Sequence, residues 1–382
     1  MERTVIDEAS QIIQRLNEDG YRAYYVGGAV RDELLDRPSS DIDITTSAKP
    51  NEICLLFPRA HQMNTEHQTV LVRSGGYSIE VTTERGDSLV ADLSHRDFTI
   101  NAMAKSADGK LIDPLNGQKD LQQKVIRSVH PDKRILEDPL RMLRAIRFVS
   151  ELNFQLDKQL LNAIKQHAYL LEQVAQERVI QEWEKLLKGA FVQQAFQFLK
   201  RSTLYRFFPG YPLSENEITK LLMMPVIDRE ASSAFRWVLF YVWIGRETDE
   251  SVGRLLLSNE LKRQIKNRLR MFRHRKDKNI DDWMLYQYGL ETTRDVEHIR
   301  HLMGLEHEQH ADVEKRFDAL PIKSRKDLCV TGVDLMTARQ KSAGPWIKEE
   351  LESLEKQVIN REVGHSKQDL LMWLERKGHN EE

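Results

Sequence analysis

The chain has 382 residues, of which 40% are apolar and 30% are charged, and its formal net charge at pH 7 is −2. This balance is typical of a soluble globular protein with a substantial core, and the length favours roughly two to four domains. A nearly neutral chain cannot bind nucleic acid through its global charge, so any such binding requires local basic patches.

The first predicted elements are a helix, a strand and a glycine turn. Apolar residues recur at helical spacing over residues 5–19, and Gly20 is a suitable C-terminal cap. The stretch from Tyr25 then runs into Gly27 and Gly28. Glycines at such a turn let the backbone approach a ligand, and the N–H groups that open the following helix suit a phosphate.

Asp41 and Asp43 lie two residues apart on the next predicted strand. Side chains alternate between the faces of a strand, so both carboxylates point to the same side. They repel one another unless a cation lies between them, and Mg²⁺ is the natural candidate because it prefers oxygen ligands. For either motif alone, a surface turn with solvated aspartates is the better interpretation, because short motifs match by chance. The two motifs together, correctly spaced, are much more specific.

Two β-like runs cover residues 68–73 and 77–83, with a glycine pair between them. Glu80 lies in the second run. If that strand neighbours the strand of Asp43, Glu80 is a candidate third carboxylate of the site. The alternative is an ordinary glutamate on a strand edge.

Residues 94–103 have the pattern of an ordinary helix start, with Asp97 or Thr99 as the cap. Asp108 and Gly109 predict a turn between short strands. From Pro131 onward the pattern is helical. We therefore expect a domain boundary near 125–135.

Residues 137–148 form a second constellation on a predicted helix. Asp138 is a good N-cap, and Pro139 suits the first helical position. An apolar stripe would face the core. These features need no function, but they do not explain Arg141, Arg144 and Arg147, which lie alongside the stripe. A row of cations next to a core is costly unless something anionic meets it.

The most basic stretch lies between residues 262 and 278, where nine Lys and Arg residues accompany one acid, Asp277. One interpretation is a solvated helix face. The other is a track for RNA phosphates, whose binding is electrostatic and independent of sequence. The candidate residues of this track are Lys262, Arg263, Lys266, Arg270, Arg273 and Lys276.

Four histidines cluster further on, but their spacing matches no standard zinc site, so a zinc site is the weaker interpretation. They are His298, His301, His307 and His310.

Two cysteines, Cys54 and Cys329, are too few for a disulfide scaffold and fit a reducing compartment. The start of the chain lacks an apolar signal core, and the most apolar run, residues 237–244, is far too short to span a bilayer. We expect a cytoplasmic protein.

Taken together, the motifs resemble those of class II tRNA nucleotidyltransferases, the bacterial CCA-adding enzyme family within the polymerase β superfamily. Residues 25–43 resemble motif A of that family and residues 94–103 resemble motif B, with His95 where the family often has arginine. Residues 137–141 resemble its EDxxR motif, and the resemblance covers nearly the whole chain.

The resemblance implies an α+β fold in which a polymerase β-like head, a mixed sheet with helices, is followed by an all-α neck, body and tail. The implied bounds are residues 1–130 for the catalytic head, 131–190 for the neck with the base-template helix, 191–290 for the body and 291–382 for a tRNA-binding tail.

The resemblance also implies roles for residues. Asp41 and Asp43 would be catalytic and hold Mg²⁺. Asp138 and Arg141 would act as a protein template for the base. Cytosine suits this pair, because Asp138 can accept from its exocyclic amine and Arg141 can donate to its acceptors, whereas uracil would leave both groups mispaired. The other implied nucleotide-binding residues are Gly28, Arg31, Arg96, Asp97, Arg144 and Arg147.

One departure concerns substrate choice. Only eleven residues, Glu84 to Ser94, lie between Thr83 and His95. Full CCA-adding members carry a longer loop here, and relatives with a shortened loop add only the two cytidines. The resemblance therefore points to a CC-adding enzyme that uses tRNA and CTP and depends on a separate A-adding enzyme.

Several alternatives remain open. The chain could be a full CCA-adding enzyme that uses CTP and ATP, an A-adding enzyme or a poly(A) polymerase. A non-catalytic RNA-binding protein is a further alternative, against which the intact Asp41 and Asp43 pair and the Arg96–Asp97 pair argue.

Overall fold

The computed structural model describes residues 4–38, 42–64, 68–208, 212–228 and 230–379. Asp41 therefore lies outside the described residues. The chain forms two compact units, Met1–Arg229 and Glu230–Glu382. The first unit contains a mixed sheet with helices, and the second unit is helical wherever it has regular structure.

The main sheet of the first unit has the strand order β3-β4-β5-β2-β1-β6-β7. Neighbouring strands are antiparallel except β2 and β5, which are parallel. The strands are β1 Ala23–Val26, β2 Asp43–Thr46, β3 Ala60–Asn64, β4 Thr69–Ser74, β5 Tyr77–Thr83, β6 Ala104–Lys105 and β7 Leu111–Ile112.

Helices α1 (Val5–Glu18) and α3 (Pro50–Leu56) cover one face of this sheet. Helix α1 begins with a capping box, in which Thr4 and Asp7 satisfy each other's N–H groups. Its buried side chains pack on strand residues such as Ile44 and Val81. Because side chains alternate between faces, the residues next to these two, Asp43 and Glu80, lie on the opposite face.

The remaining helices of the first unit lie between and after the strands of the sheet. They are α2 Gly28–Leu34, α4 Leu89–Ser94, α5 Gly117–Gln123, α6 Pro131–Glu137, α7 Leu140–Leu152, α8 Lys158–His167, α9 Gln176–Lys188, α10 Val192–Arg201 and α11 Glu215–Leu221. The apolar stripe of α7 is buried as predicted, with Leu140, Leu143 and Ile146 at most 5% exposed. A second, parallel pair of strands joins β8 (Val125–Ile126) to β9 (Gln155–Leu156).

The described helices of the second unit are α12 Ser233–Ile244, α13 Asp249–Gly253, α14 Asn259–His274, α15 Asp282–Leu302, α16 His310–Asp318, α17 Gly332–Arg339, α18 Trp346–Ile359 and α19 Lys367–His379. Helix α15 is kinked at Gly289, whose φ of 77° is not helical. The apolar run predicted to be too short for a membrane span is buried within α12. Among the residues described, no helix has the length and apolarity needed to cross a membrane.

The predicted α+β class, a mixed sheet with helices followed by helical structure, is confirmed. One local prediction was wrong: residues 94–103 do not start a helix. Helix α4 ends at Ser94, and only Thr99–Asn101 form a short 3-10 turn. Asp97 does not cap a long helix because its carboxylate bonds to an arginine of α7 instead.

The predicted division into head, neck, body and tail stays a prediction. Strands β8 and β9 pair across residue 130, so the predicted head and neck share one compact unit. The separation found in the structure falls between residues 229 and 230. The predicted boundary at residue 290 lies next to the kink at Gly289.

Candidate active site

The glycine turn between β1 and α2 brings two charged side chains together. Gly27 has a φ of 73°, which side-chain-bearing residues rarely adopt. A Cβ at Gly27 would lie 3.1 Å from Arg96 Nη1 and 3.2 Å from Asp43 Oδ2. At Gly28 a Cβ would make only an ordinary contact, 3.6 Å from Arg31 Nη2. Gly27 is thus the position that requires glycine, although the predicted site residues included Gly28 alone.

Asp43 and Glu80 lie directly opposite each other on the parallel strands β2 and β5. Their side chains share the face of the sheet opposite α1 and α3, and neighbouring strands lie about 4.8 Å apart. Asp43 is half-buried and Glu80 is exposed. Two carboxylates at this spacing fit the oxygen donors that Mg²⁺ prefers. The condition set for Glu80, that its strand neighbours the strand of Asp43, is met.

Within the described ranges, no group of three or more His, Cys, Asp or Glu side chains is placed to hold a metal ion. Asp41, the remaining carboxylate predicted for the site, is outside those ranges. The histidine cluster in the second unit forms pairs instead. His301 Nδ1 lies 3.1 Å from His307 Nε2, and the rings of His298 and His310 are 5.6 Å apart.

Asp97 is buried and fully hydrogen-bonded. Its Oδ2 accepts from Arg144 Nε and Nη2 at 3.0 and 2.7 Å, and its Oδ1 accepts from Asn101 Nδ2 at 3.0 Å and from the Phe98 N–H at 2.9 Å. Burial by itself raises the pKa of Asp97, but the charge of Arg144 and these hydrogen bonds outweigh it and lower the pKa to about 2. The carboxylate is therefore ionised at neutral pH, and its charge in turn raises the pKa of Arg144.

Arg31 is also buried, at 8% exposure. It donates to both carboxylate oxygens of Asp32, at 3.0 and 2.8 Å, and to Asn101 Oδ1 at 2.7 Å. Its guanidinium lies over the ring of Phe148, 4.9 Å from the centroid. Asn101 thus connects Arg31 with Asp97. Sequence reasoning missed Asn101, because nothing in its local pattern shows that two distant charged groups meet there.

Asp138 and Arg141 lie at the start of α7. Asp138 Oδ1 accepts from the Leu140 N–H at 3.2 Å, which is the predicted capping role, and its Oδ2 accepts from Arg178 at 3.0 Å. Arg141 Nη2 donates to the His95 carbonyl at 3.2 Å. Arg141 Nη1 is buried, has no hydrogen-bond partner in the described structure and lies 3.7 Å from the Glu137 carboxylate, an ion-pair distance. Burial lowers the pKa of Arg141.

Arg144 and Arg147 have different surroundings. Arg144 binds Asp97 and lies 3.6 Å from Glu182 on α9. Arg147 Nε donates to Glu182 at 2.6 Å, and its Nη1 donates to Glu151 at 2.7 Å. These contacts account for the buried charge of Arg147 without a ligand, so its predicted role as a nucleotide-binding residue stays a prediction.

The connection from β5 to α4, residues 84–88, is shorter than the eleven residues counted between Thr83 and His95, because α4 already begins at Leu89. Its first residue, Glu84, donates its N–H to the Thr46 carbonyl and accepts from Arg22, both at 2.7 Å. The Arg85 N–H donates to Asp92 Oδ1 at 3.1 Å. The connection is therefore tied to its surroundings at its first two residues, while residues 85–88 are exposed.

The predicted basic track lies mainly on α14, and most of its cations have acidic partners. Arg263 pairs with Glu260, Arg270 and Arg273 pair with Asp249, and Lys276 pairs with Glu247. Lys262 and Lys266 line an open cleft of about 470 Å³ together with Asn259, Arg263, Asn267, Arg270 and Gln287. Because of these acidic partners, the surplus of positive charge on the surface of α14 is smaller than the count of Lys and Arg residues in the sequence indicated.

Three family models match the chain. The model of the poly A polymerase head domain matches residues 23–91 and 84–127. A model of an RNA and SrmB-binding site of polymerase A matches residues 153–213, and tRNA nucleotidyltransferase domain 2 matches residues 230–374. The head-domain match and the sheet that carries Asp43 are those of a nucleotidyltransferase.

Curated relatives are similar over nearly the whole chain. The CC-adding tRNA nucleotidyltransferase of Halalkalibacterium halodurans is 39% identical over 98% of this chain and 98% of its own length. The CC-adding enzyme of Shouchella clausii is 37% identical, with 96% and 97% covered. The CCA-adding enzyme of Anoxybacillus flavithermus is also 37% identical, with 96% of each chain covered.

A solved structure agrees. The Bacillus stearothermophilus CCA-adding enzyme, in complex with CTP, superimposes with a TM-score of 0.87 at 34% identity and with 99% of each chain covered. The chain belongs to the bacterial class II CCA-adding enzyme family and is a tRNA nucleotidyltransferase.

Proposed function

We propose that this nucleotidyltransferase adds two cytidines from CTP to the 3′ end of tRNA, without a nucleic-acid template, and stops before the terminal adenosine. The observation that carries the proposal is the short, tied connection between β5 and α4. A separate A-adding enzyme would then complete the tRNA end.

Alignment lengths support this proposal. The alignments with the two CC-adding relatives extend over 368 and 377 positions. Those with CCA-adding relatives extend over 389 and 392 positions, more than the 382 residues of this chain, although they cover a similar share of it. The CCA-adding relatives must therefore contain residues that have no counterpart here.

The contacts of the connection give a physical reason for stopping. A purine is larger than cytosine, so a pocket that accepts both must open after the second cytidine. Arg85 binds Asp92, and Asp92 Oδ2 lies 3.5 Å from Arg96 Nη2 and accepts from Thr45 at 3.2 Å. A connection this short, and held at its start, would leave little chain to move the nucleotide-binding residues.

The face of the sheet that carries Asp43 and Glu80 is the proposed catalytic centre. Asp41 and Asp43 would hold Mg²⁺, with Glu80 as a third carboxylate. When bound, Mg²⁺ lowers the pKa of the tRNA 3′ hydroxyl and neutralises the triphosphate. Arg96 lies beside Asp43 at the glycine turn, where it would contact the phosphates, and Gly27 leaves room for them.

The start of α7 would choose the base. Asp138 would accept from the cytosine amine, and Arg141 would donate to the ring nitrogen and the carbonyl. Arg141 Nη1 supports this role: it is buried, has no hydrogen-bond partner and lies 3.7 Å from the Glu137 carboxylate, so it retains a donor for the base. To accept from a ribose hydroxyl and so favour ribonucleotides, Asp97 would have to exchange one of its present donors, because each of its oxygens already accepts two hydrogen bonds.

The test offers the purified protein three tRNA ends: lacking CCA, ending in C and ending in CC. Each receives CTP, ATP or both. We expect addition of two cytidines and no adenosine, even with ATP present. Completion of CCA would overturn the CC-only proposal and favour the full CCA-adding enzyme, which the similarly close CCA-adding relatives also allow.

The matched control for this test is Asp43→Asn. This substitution removes one carboxylate charge from the proposed catalytic centre, with almost no change in the shape of the side chain. We expect transfer to fall by at least about 10²-fold, a typical loss for a preorganised charge at a reaction centre, while tRNA binding is retained. Unchanged turnover of this variant would contradict the assignment of the catalytic centre.

A further inference from the structure

The segment of residues 95–101 is fastened to the template helix α7 at two points. The His95 carbonyl accepts from Arg141 Nη2 at 3.2 Å. The Asp97 carboxylate accepts from both Nε and Nη2 of Arg144. The same segment carries Arg96, whose guanidinium lies at the glycine turn beside Asp43. The position of this segment relative to α7 therefore determines how the base-binding side of the nucleotide site is placed relative to the phosphate-binding side.

Asn101 connects this segment to a third element, helix α2. Its Oδ1 accepts from Arg31 Nη1 at 2.7 Å, and its Nδ2 donates to Asp97 Oδ1 at 3.0 Å. The side chain is buried, with only 6% of the residue exposed. One chain of hydrogen bonds thus runs from Arg31 through Asn101 and Asp97 to Arg144.

The amide of Asn101 can make these contacts in one orientation only. Arg31 has only donors to offer and the ionised Asp97 has only acceptors. If the amide flipped, its NH₂ group would face the guanidinium and its oxygen would face the carboxylate. Both contacts would then be repulsive in a buried setting, where an unmet polar group is costly.

We propose that Asn101 is a positioning residue, whose amide aligns Arg31 on the phosphate side with Asp97 and, through Asp97, with the base-template helix. The inference rests on the proposed function, because the roles of Arg31, Asp97 and α7 toward the nucleotide come from it. Asn101 itself touches no reacting atom in this scheme.

A charge swap tests the proposal. In Asn101→Asp the new carboxylate still accepts from Arg31 but repels Asp97. We expect kcat/KM for CTP to fall at least about tenfold, which corresponds to about 1.4 kcal/mol of lost transition-state stabilisation. We also expect the preference for CTP over UTP to be reduced. Adding Asp97→Asn removes the repulsion between the two carboxylates and lets the amide of residue 97 donate to residue 101, although the Phe98 N–H, which donates to the same oxygen of Asp97, then loses its acceptor. We expect the double variant to recover at least about threefold over Asn101→Asp alone.

A purely structural role would appear in the melting temperature and not in the kinetics of the folded enzyme. All variants are therefore assayed well below their melting temperatures. Asn162→Asp, an exposed position on α8, introduces the same charge and should leave kcat/KM unchanged. An Asn101→Asp enzyme with normal kinetics overturns the proposal.

Two further measurements keep the outcome decisive. If Asn101→Asp fails to fold, Asn101→Ala takes its place: a raised KM for CTP and a weaker preference over UTP support the proposal, and wild-type values overturn it. If the wild-type protein adds no cytidine, the proposed function fails. The same cycle of variants, measured as CTP affinity by calorimetry, then decides the role of Asn101 separately.

Discussion

Gly27 shows how the absence of one side chain arranges charges at the residue scale. The strand ends, the backbone takes a positive φ, and Arg96 and Asp43 approach the space that a Cβ would occupy. A cation beside a carboxylate at a glycine turn suits a polyphosphate bound through a metal ion. The sequence shows the glycine, but not the neighbours that require it.

The carboxylate of Asp97 makes the stability of the first unit depend on pH. Its pKa is about 2 in the folded protein, against 3.8 for a free aspartate. The unfolded chain therefore binds this proton first, so the contribution is present above about pH 4 and is lost as pH falls toward 2. The shift corresponds to about 2 kcal/mol.

Denaturation of wild type and Asp97→Asn at several pH values tests this dependence. The variant cannot gain that proton, so the difference in unfolding free energy between the two proteins should shrink by about 2 kcal/mol from pH 5 to pH 2. Glu172→Gln, at an exposed position of the first unit, is the control and should show little change of this kind. A difference for Asp97→Asn that stays constant with pH would contradict the assignment.

At the element scale, helix α7 uses three arginines at a spacing of three for different contacts. Residues in a helix turn by about 100° each, so each step of three shifts the direction by about 60°. Arg141 reaches His95, Arg144 reaches both Asp97 and Glu182, and Arg147 reaches Glu182. The row therefore winds from the segment of residues 95–101 toward helix α9, and its last member pairs within the protein.

Arg147→Met tests whether this last arginine is structural. The substitution leaves Glu182 and Glu151 without their buried partner, so we expect a loss of about 3 kcal/mol in unfolding free energy. KM for CTP should stay within about twofold of wild type. Chemical denaturation and steady-state kinetics measure the two effects.

The control for this loss is Arg15→Met on α1. Arg15 also pairs with an acid four residues away, Asp19, but its side chain is 54% exposed. An exposed pair contributes less than about 1 kcal/mol. A normal stability for Arg147→Met combined with a large rise in KM would instead make Arg147 a nucleotide ligand.

At the scale of the whole molecule, charge is balanced between distant parts of the chain. The basic run on α14 receives acidic partners from outside it, including Asp249 and Glu247. This pairing agrees with the net charge of −2 and leaves Lys262 and Lys266 as the cations of the cleft for which no ion pair is found in the described structure. The proposed tRNA track is thus narrower than six residues.

We expect the double substitution Lys262→Ala and Lys266→Ala to weaken tRNA binding and to reduce the salt dependence of log K by about 1 to 2 in slope. CTP addition at saturating tRNA should be unaffected. Binding titrations at several salt concentrations measure the slope. Lys348 and Lys356, exposed on α18, provide the matched double variant, and an equal loss from both pairs would count against a localised track.

The class of fold and the main motifs could be predicted from the sequence because they depend on local patterns. The capping box and apolar spacing of α1, the glycine pair between β4 and β5, and the apolar stripe of α7 all appear in the structure. Residues 94–103 were misjudged because a cap-like pattern has the same local appearance whether or not a distant arginine binds the carboxylate. Asn101 was missed for the same reason.

By itself, the sequence determined the short stretch before His95 and the motifs whose resemblance to a nucleotidyltransferase family implied the α+β class, since motifs and their spacing are properties of neighbouring residues. Only the tertiary structure decided that Glu80 lies beside Asp43, that Arg147 is paired within the protein, and that Asn101 joins Arg31 to Asp97. These facts depend on strand order and helix rotation, which bring distant residues within hydrogen-bond reach. Burial then fixes which partner each charge must take, because an unpaired charge inside the protein is too costly to persist.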